Sequence, residues 1–146
     1  MKRTNGFTLI ECVIAFSLFS IVLLLAMNLY LTGYRSYRRQ EYQVDVEQNA
    51  RVILNRISET LRRADNLSEE LSLSGTVLII GDTRYYLQNG TVYERIGGGT
   101  NTLGLRITRF EPSLENGYLT IGIETQPYRE DNPFYLEQVL FVGGDE

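Results

Sequence analysis

The chain has no histidine and no tryptophan, one cysteine and three prolines. Without histidine it lacks the commonest general base and the commonest metal ligand. A single cysteine, Cys12, excludes an intrachain disulfide. Charged residues make up 22% and the net charge is -4, so a general polyanion-binding character is not expected. The glycine run Gly97-Gly98-Gly99-Thr100-Asn101 reads as a flexible loop. No Gly-Lys-Ser/Thr follows it, so it is not a phosphate loop. No activated serine or cysteine, metal-ligand cluster or acid pair stands out, so neither catalysis nor a cofactor is expected. Glu130, Asp131, Asp145 and Glu146 lack the alternating spacing and glycine of a calcium loop and read as a solvated surface. Asn66-Leu67-Ser68 and Asn89-Gly90-Thr91 fit glycosylation sequons, but read more simply as a helix exit and a turn.

What is present begins with a long apolar run. From Phe7 to Leu31 there is no proline, no glycine and one formal charge, Glu11. As a helix this run measures about 37 Å, enough to cross a bilayer of about 30 Å with some tilt. A short basic head, Met1 to Gly6, precedes it. The run is too long for a secretory signal, and Ala26-Met27-Asn28-Leu29 is a poor cleavage context. Leu9-Ile10-Glu11 before Cys12 does not suit a lipoprotein signal. Glu11 is the oddity. An acid near the centre of a membrane helix costs about 2.5 to 3.5 kcal/mol, less at an interface. It must stay wet near the headgroups or meet a positive partner.

The residues Gly6-Phe7-Thr8-Leu9-Ile10-Glu11, after a basic leader and before an apolar helix, resemble the prepilin signal of type IV pilins and type II secretion pseudopilins. The resemblance implies that a prepilin peptidase cuts between Gly6 and Phe7 and methylates the new amine of Phe7. It implies that Glu11 aligns incoming subunits through a neighbour's amino terminus, relieving the desolvation of both charges. It also implies a leader at 1–6, a membrane and filament-core half-helix at 7–31, and a pilin domain at 32–146. The head would stay in the cytoplasm, with the domain outside the inner membrane. The implied partners are other pilins or pseudopilins, the peptidase and an inner-membrane assembly platform.

Beyond Leu31 the helix is expected to continue to Ala64, with a bend at Gly33. Tyr30, Tyr34 and Tyr37 share one face and suit a membrane boundary or a partner. Arg35, Arg38 and Arg39 suit anionic headgroups. Val46, Ala50, Ile53, Leu54, Ile57, Leu61 and Ala64 recur at three- and four-residue steps and define an apolar face. Glu47 with Arg51, and Glu59 with Arg63, are acid-first pairs one turn apart. Asp65-Asn66 reads as the helix end.

From Ser74 onward, short strand-like segments alternate with turns. They are Thr76–Ile80, Arg84–Gln88, Thr91–Ile96, Leu103–Phe110, Tyr118–Thr125 and Phe134–Val142. Asn89-Gly90 and Asn116-Gly117 mark hairpin turns, the second in a loop starting at Pro112. Leu103, Leu105 and Ile107 should share one side, and Leu119, Ile121 and Ile123 should point inward. Val139–Val142 reads as a buried strand end. The fold class is α+β and pilin-like: a long helix on an antiparallel sheet of about six strands, residues 74–142.

Ala50 to Ile57, an Ala-Arg-x-x-Leu-x-Arg-Ile pattern, is similar to PilW-like minor pilins and J-type minor pseudopilins. The missing proline in the apolar run and the missing disulfide depart from major pilins, and Glu11 departs from K-type tip pseudopilins. The expected role is a minor pilin or pseudopilin at or near a filament tip. The alternatives are a competence-type DNA-binding or adhesive tip pilin, and a tethered enzyme. A basic stripe on the sheet would favour nucleic acid, an apolar patch would favour partner subunits, and a deep acid-lined pocket would favour an enzyme.

Overall fold

The computed structural model describes residues 8–64, 70–129 and 131–143. Among the described residues one long helix, α1 (Leu9–Arg63), precedes eight strands. The chain divides into two compact units, Met1–Gln40 and Glu41–Glu146.

In the first unit, α1 carries straight through Gly33 without interruption. No described side chain of this unit is buried. The helix is long and apolar enough here to cross a membrane.

The second unit is built where the helix turns amphipathic. Val46, Ala50, Ile53, Leu54, Ile57 and Leu61 are buried as their spacing predicts, and Ala64 packs against the same cluster. Glu47 pairs with Arg51 at 2.7 Å and Glu59 with Arg63 at 3.9 Å on the opposite face. The apolar stripe needs a cover, and two antiparallel sheets supply it. The first has the order β1 (Leu71–Ser74), β2 (Val77–Ile80), β3 (Thr83–Gln88), β4 (Thr91–Ile96), β5 (Gly99–Leu105). The second has the order β6 (Ile107–Glu115), β7 (Tyr118–Thr125), β8 (Tyr135–Phe141). Leu78, Ile80, Tyr85 and Val92 from the first join Ile107, Phe110, Leu119, Ile121 and Ile123 from the second in one core with the helix.

The α+β class holds, and both Asn-Gly turns are in place. Asn89 and Gly90 have φ of 50° and 73°, and Asn116 and Gly117 have 50° and 78°, as tight hairpins require. The layout of the strands differs from expectation in five places. β1 is a strand outside the expected segments, the first of which, Thr76–Ile80, is β2. Only Gly97-Gly98 forms a turn; Gly99, Thr100 and Asn101 are strand, because they pair with Ile96, Arg95 and Glu94. The segment from Leu103 to Phe110 is not one strand. Arg106 sits at φ 61°, where a side chain is disfavoured, and the chain leaves one sheet for the other there. Leu105 therefore faces solvent while Ile107 is buried. Arg106 is held by Asp45 at 2.5 Å and by the ring of Tyr42, 4.7 Å from its guanidinium carbon.

Pro112 lies within β6, opposite Ile121, and does not open a loop. β6 has β7 as its only strand partner in this sheet, so a missing N–H is tolerated there. The end of β8 is also not buried as a run. Val139 and Phe141 are 56% and 69% exposed, and only Val142 is buried. Alternation explains this: Leu136 and Leu140 turn toward the core, and their neighbours turn away.

β5 lies unusually close to α1. A Cβ on Gly104 would stand 2.6 Å from Ile53 Cδ1 and 3.2 Å from the Asn49 carbonyl oxygen. Only glycine permits that approach.

Candidate functional site

The amino-terminal motif is described from Thr8 onward; Gly6 and Phe7 lie outside the described residues. Thr8 and Glu11 form a reciprocal cap on the first turn of α1. The Thr8 backbone N–H and hydroxyl each donate to Glu11 Oε2 at 2.9 Å, and the Glu11 N–H donates to Thr8 Oγ1 at 3.3 Å. This is a capping box, Thr-x-x-Glu, which satisfies donors that a helix start leaves orphaned. The pattern was visible in the sequence. Its signal is the Thr-x-x-Glu spacing, beside which the charge of Glu11 in an apolar run is the more conspicuous feature. Leu9, Ile10 and Cys12 are exposed around it. Further along, Tyr30 and Tyr34 stack at 6.4 Å, and Tyr37 is exposed as they are.

In the second unit, a polar cluster is buried where helix meets sheet. Glu94 on β4 faces inward and is 1% exposed. Arg56 donates to it from Nε at 2.7 Å and from Nη2 at 3.2 Å. The Tyr85 hydroxyl donates at 3.0 Å and Asn101 Nδ2 at 3.3 Å. The Tyr85 hydroxyl also lies 2.7 Å from Thr60 Oγ1. Burial pushes the Glu94 carboxyl pKa up, but the bonds from Arg56, Asn101 and Tyr85 outweigh it and hold the pKa below the usual carboxylate range. Burial also drives the Tyr85 phenol above its ordinary range. The cluster has one acid, already fully engaged. Its geometry is that of a clip between α1 and the first sheet rather than of an acid–base pair.

A cleft of about 320 Å³ lies between the start of this unit's helix and the loop after β7. Tyr42, Val46, Thr125, Pro133 and Phe134 line it, with Glu47 as its acid. Glu47 is bonded to Arg51, so among the described residues lining the cleft there is no free pair of carboxylates for hydrolysis. Of the acids weighed for calcium, Glu130, Asp145 and Glu146 lie outside the described residues, as does the sequon at Asn66.

The outer faces of the two sheets differ in character. On the first, Arg84 lies opposite Arg95, and Tyr86 opposite Tyr93 with ring centroids 5.6 Å apart. On the second, Tyr118 packs edge-on against Phe141 at 5.2 Å, and Val139 is exposed on the same side. Two arginines do not make a stripe. The exposed cluster of Tyr118, Val139 and Phe141 is apolar.

No curated protein and no solved structure matches this chain. Residues 1–27 do match a family model, the prokaryotic N-terminal methylation motif, over the same stretch that resembles a prepilin signal.

Proposed function

We propose that the chain is a minor pilin or minor pseudopilin. Prepilin peptidase would remove residues 1–6 and methylate Phe7, leaving 7–31 in the inner membrane and 32–146 outside the cytoplasm. An assembly platform would then lift it into a type IV pilus or type II secretion pseudopilus, at or near the tip. The observation that carries this is the methylation motif at residues 1–27 running directly into an unbroken helix that is apolar first and amphipathic afterward. The role is structural, not catalytic. In an assembly, Glu11 of one subunit would meet the amine of a neighbour's Phe7, with one oxygen of the carboxylate already held by Thr8. The exposed Tyr118, Val139 and Phe141 favour protein partners over the DNA-binding alternative.

Mass spectrometry of the amino terminus tests the first step. In cells with active prepilin peptidase the chain should begin at a methylated Phe7. A chain still starting at Met1 would refute the reading. Glu11→Ala should leave cleavage largely intact and lower incorporation into filaments. Undiminished incorporation would remove the role given to that carboxylate.

A further inference from the structure

Arg84 and Arg95 are directly opposed across β3 and β4 on the solvent side of the first sheet. Like charges in that position repel. Among the described residues neither arginine forms an ion pair. The next outward row holds the stacked Tyr86 and Tyr93. A basic row therefore stands one step, about 7 Å, from an aromatic row.

The second sheet carries the counterpart. Glu111, Gly122 and Glu137 form one outward row across β6, β7 and β8. The two carboxylates stand about two strand spacings, roughly 10 Å, apart. The Tyr135 ring covers the glycine between them, and its hydroxyl donates to Glu137 Oε2 at 2.9 Å. The next row is Ser113, Thr120 and Val139, and the one after it Glu115, Tyr118 and Phe141. Arg109, on the adjoining row with Glu124 and Tyr135, leans on Glu124 at 3.4 Å and Glu111 at 3.6 Å. This face remains acidic overall, with an apolar end.

We propose that the outer face of β3–β5 in one copy of this chain docks on the outer face of β6–β8 in a second copy. Arg84 and Arg95 then meet Glu111 and Glu137, and the Tyr86–Tyr93 pair settles on Thr120 and Val139. The opposed arginines gain the counter-charge their own sheet lacks. The two faces differ, so the contact is heterologous, and each copy keeps one face free for the next. The proposal rests on the filament-subunit reading for its use in the cell. It requires at least two copies in succession, which a single-copy tip would not provide. Exposed ion pairs are weak, so the contact should weaken with salt.

The test uses the full chain in its membrane, with Cys12→Ser to clear the native thiol. Two differently tagged copies are co-expressed, one with Thr102→Cys and one with Ser113→Cys, and treated with a short bis-maleimide. A cross-link joining the two tags is expected. Arg84→Glu with Arg95→Glu on the first copy should cut its yield about tenfold. Adding Glu111→Arg and Glu137→Arg to the second copy should restore it. Resistance to limited proteolysis shows that each variant is folded. Should a charge-reversed variant misfold, Arg84→Gln with Arg95→Gln provides the milder test, again with a fall in yield expected. An absent cross-link, or one indifferent to charge, overturns the proposal. So does a cross-link that compensation fails to restore while wild-type chain retains a single-stranded oligonucleotide through Arg84 and Arg95; that face would belong to nucleic acid. A charge-dependent cross-link in a chain still beginning at Met1 supports the docking and defeats the filament reading. A methylated Phe7 without the cross-link does the reverse.

Discussion

Residues 9–40 and 41–63 belong to one helix with one backbone geometry, yet they meet opposite fates. The first stretch is more apolar and buries nothing within the chain. The second carries charges along one side and buries seven residues, Val46 to Leu61, against two sheets. Hydrophobicity alone therefore does not decide what a helix packs on. An apolar stripe beside a polar face is matched by strands of the same chain. A helix apolar all round is left for lipid or for other helices. If this division is right, damage on one side of it should spare the other.

The sharpest break should come from the core. Ile57→Ala should cost about 2 to 5 kcal/mol of stability in the 41–143 unit, measured by denaturant unfolding of the detergent-solubilised chain. The proposed cleavage after Gly6 should continue at an unchanged rate. Next is the clip. Arg56→Ala leaves Glu94 buried without its cation. Because Arg56 is itself about one-third exposed, the loss should be about 2 kcal/mol, below the range for fully buried pairs. The same carboxylate gives the unit a pH dependence. Its folded pKa lies below the unfolded value of about 4.3, so its contribution is complete above that value. It is lost as pH falls through the folded pKa. Glu94→Gln should flatten that acid limb in a pH series of melting curves.

Gly104→Ala should cost about 1 to 3 kcal/mol, because its methyl meets Ile53 and the Asn49 carbonyl. The smallest effect belongs to the other side of the divide. Thr8→Ala removes one half of the helix cap, worth about 1 kcal/mol locally. Amide exchange should rise in the first turn of α1, with the 41–143 unit unchanged. A fall in that unit's stability would mean the two stretches are coupled.

The helix face was legible because burial follows a three- and four-residue repeat that only one geometry explains. The Asn-Gly turns were legible because few residue pairs accept positive φ twice. The break at Arg106 was not. Arginine is an unusual occupant of left-handed backbone, and its support comes from Asp45 and Tyr42, about sixty residues earlier in the chain. Glu94 could have been suspected, since it shares the inward parity of Val92 on β4. Its partners on α1, β3 and β5 could not, because register across strands is not written in local composition. The outward rows of arginine and glutamate were hidden for the same reason.

The Thr8–Glu11 clasp has a consequence for maturation. Both of its members lie on the retained side of the proposed scission at Gly6. Losing the leader would therefore strip nothing from the bonds that start the helix. The trimmed product would enter assembly with its first turn already wound, and the freshly bared amine would sit one residue ahead of a structured end.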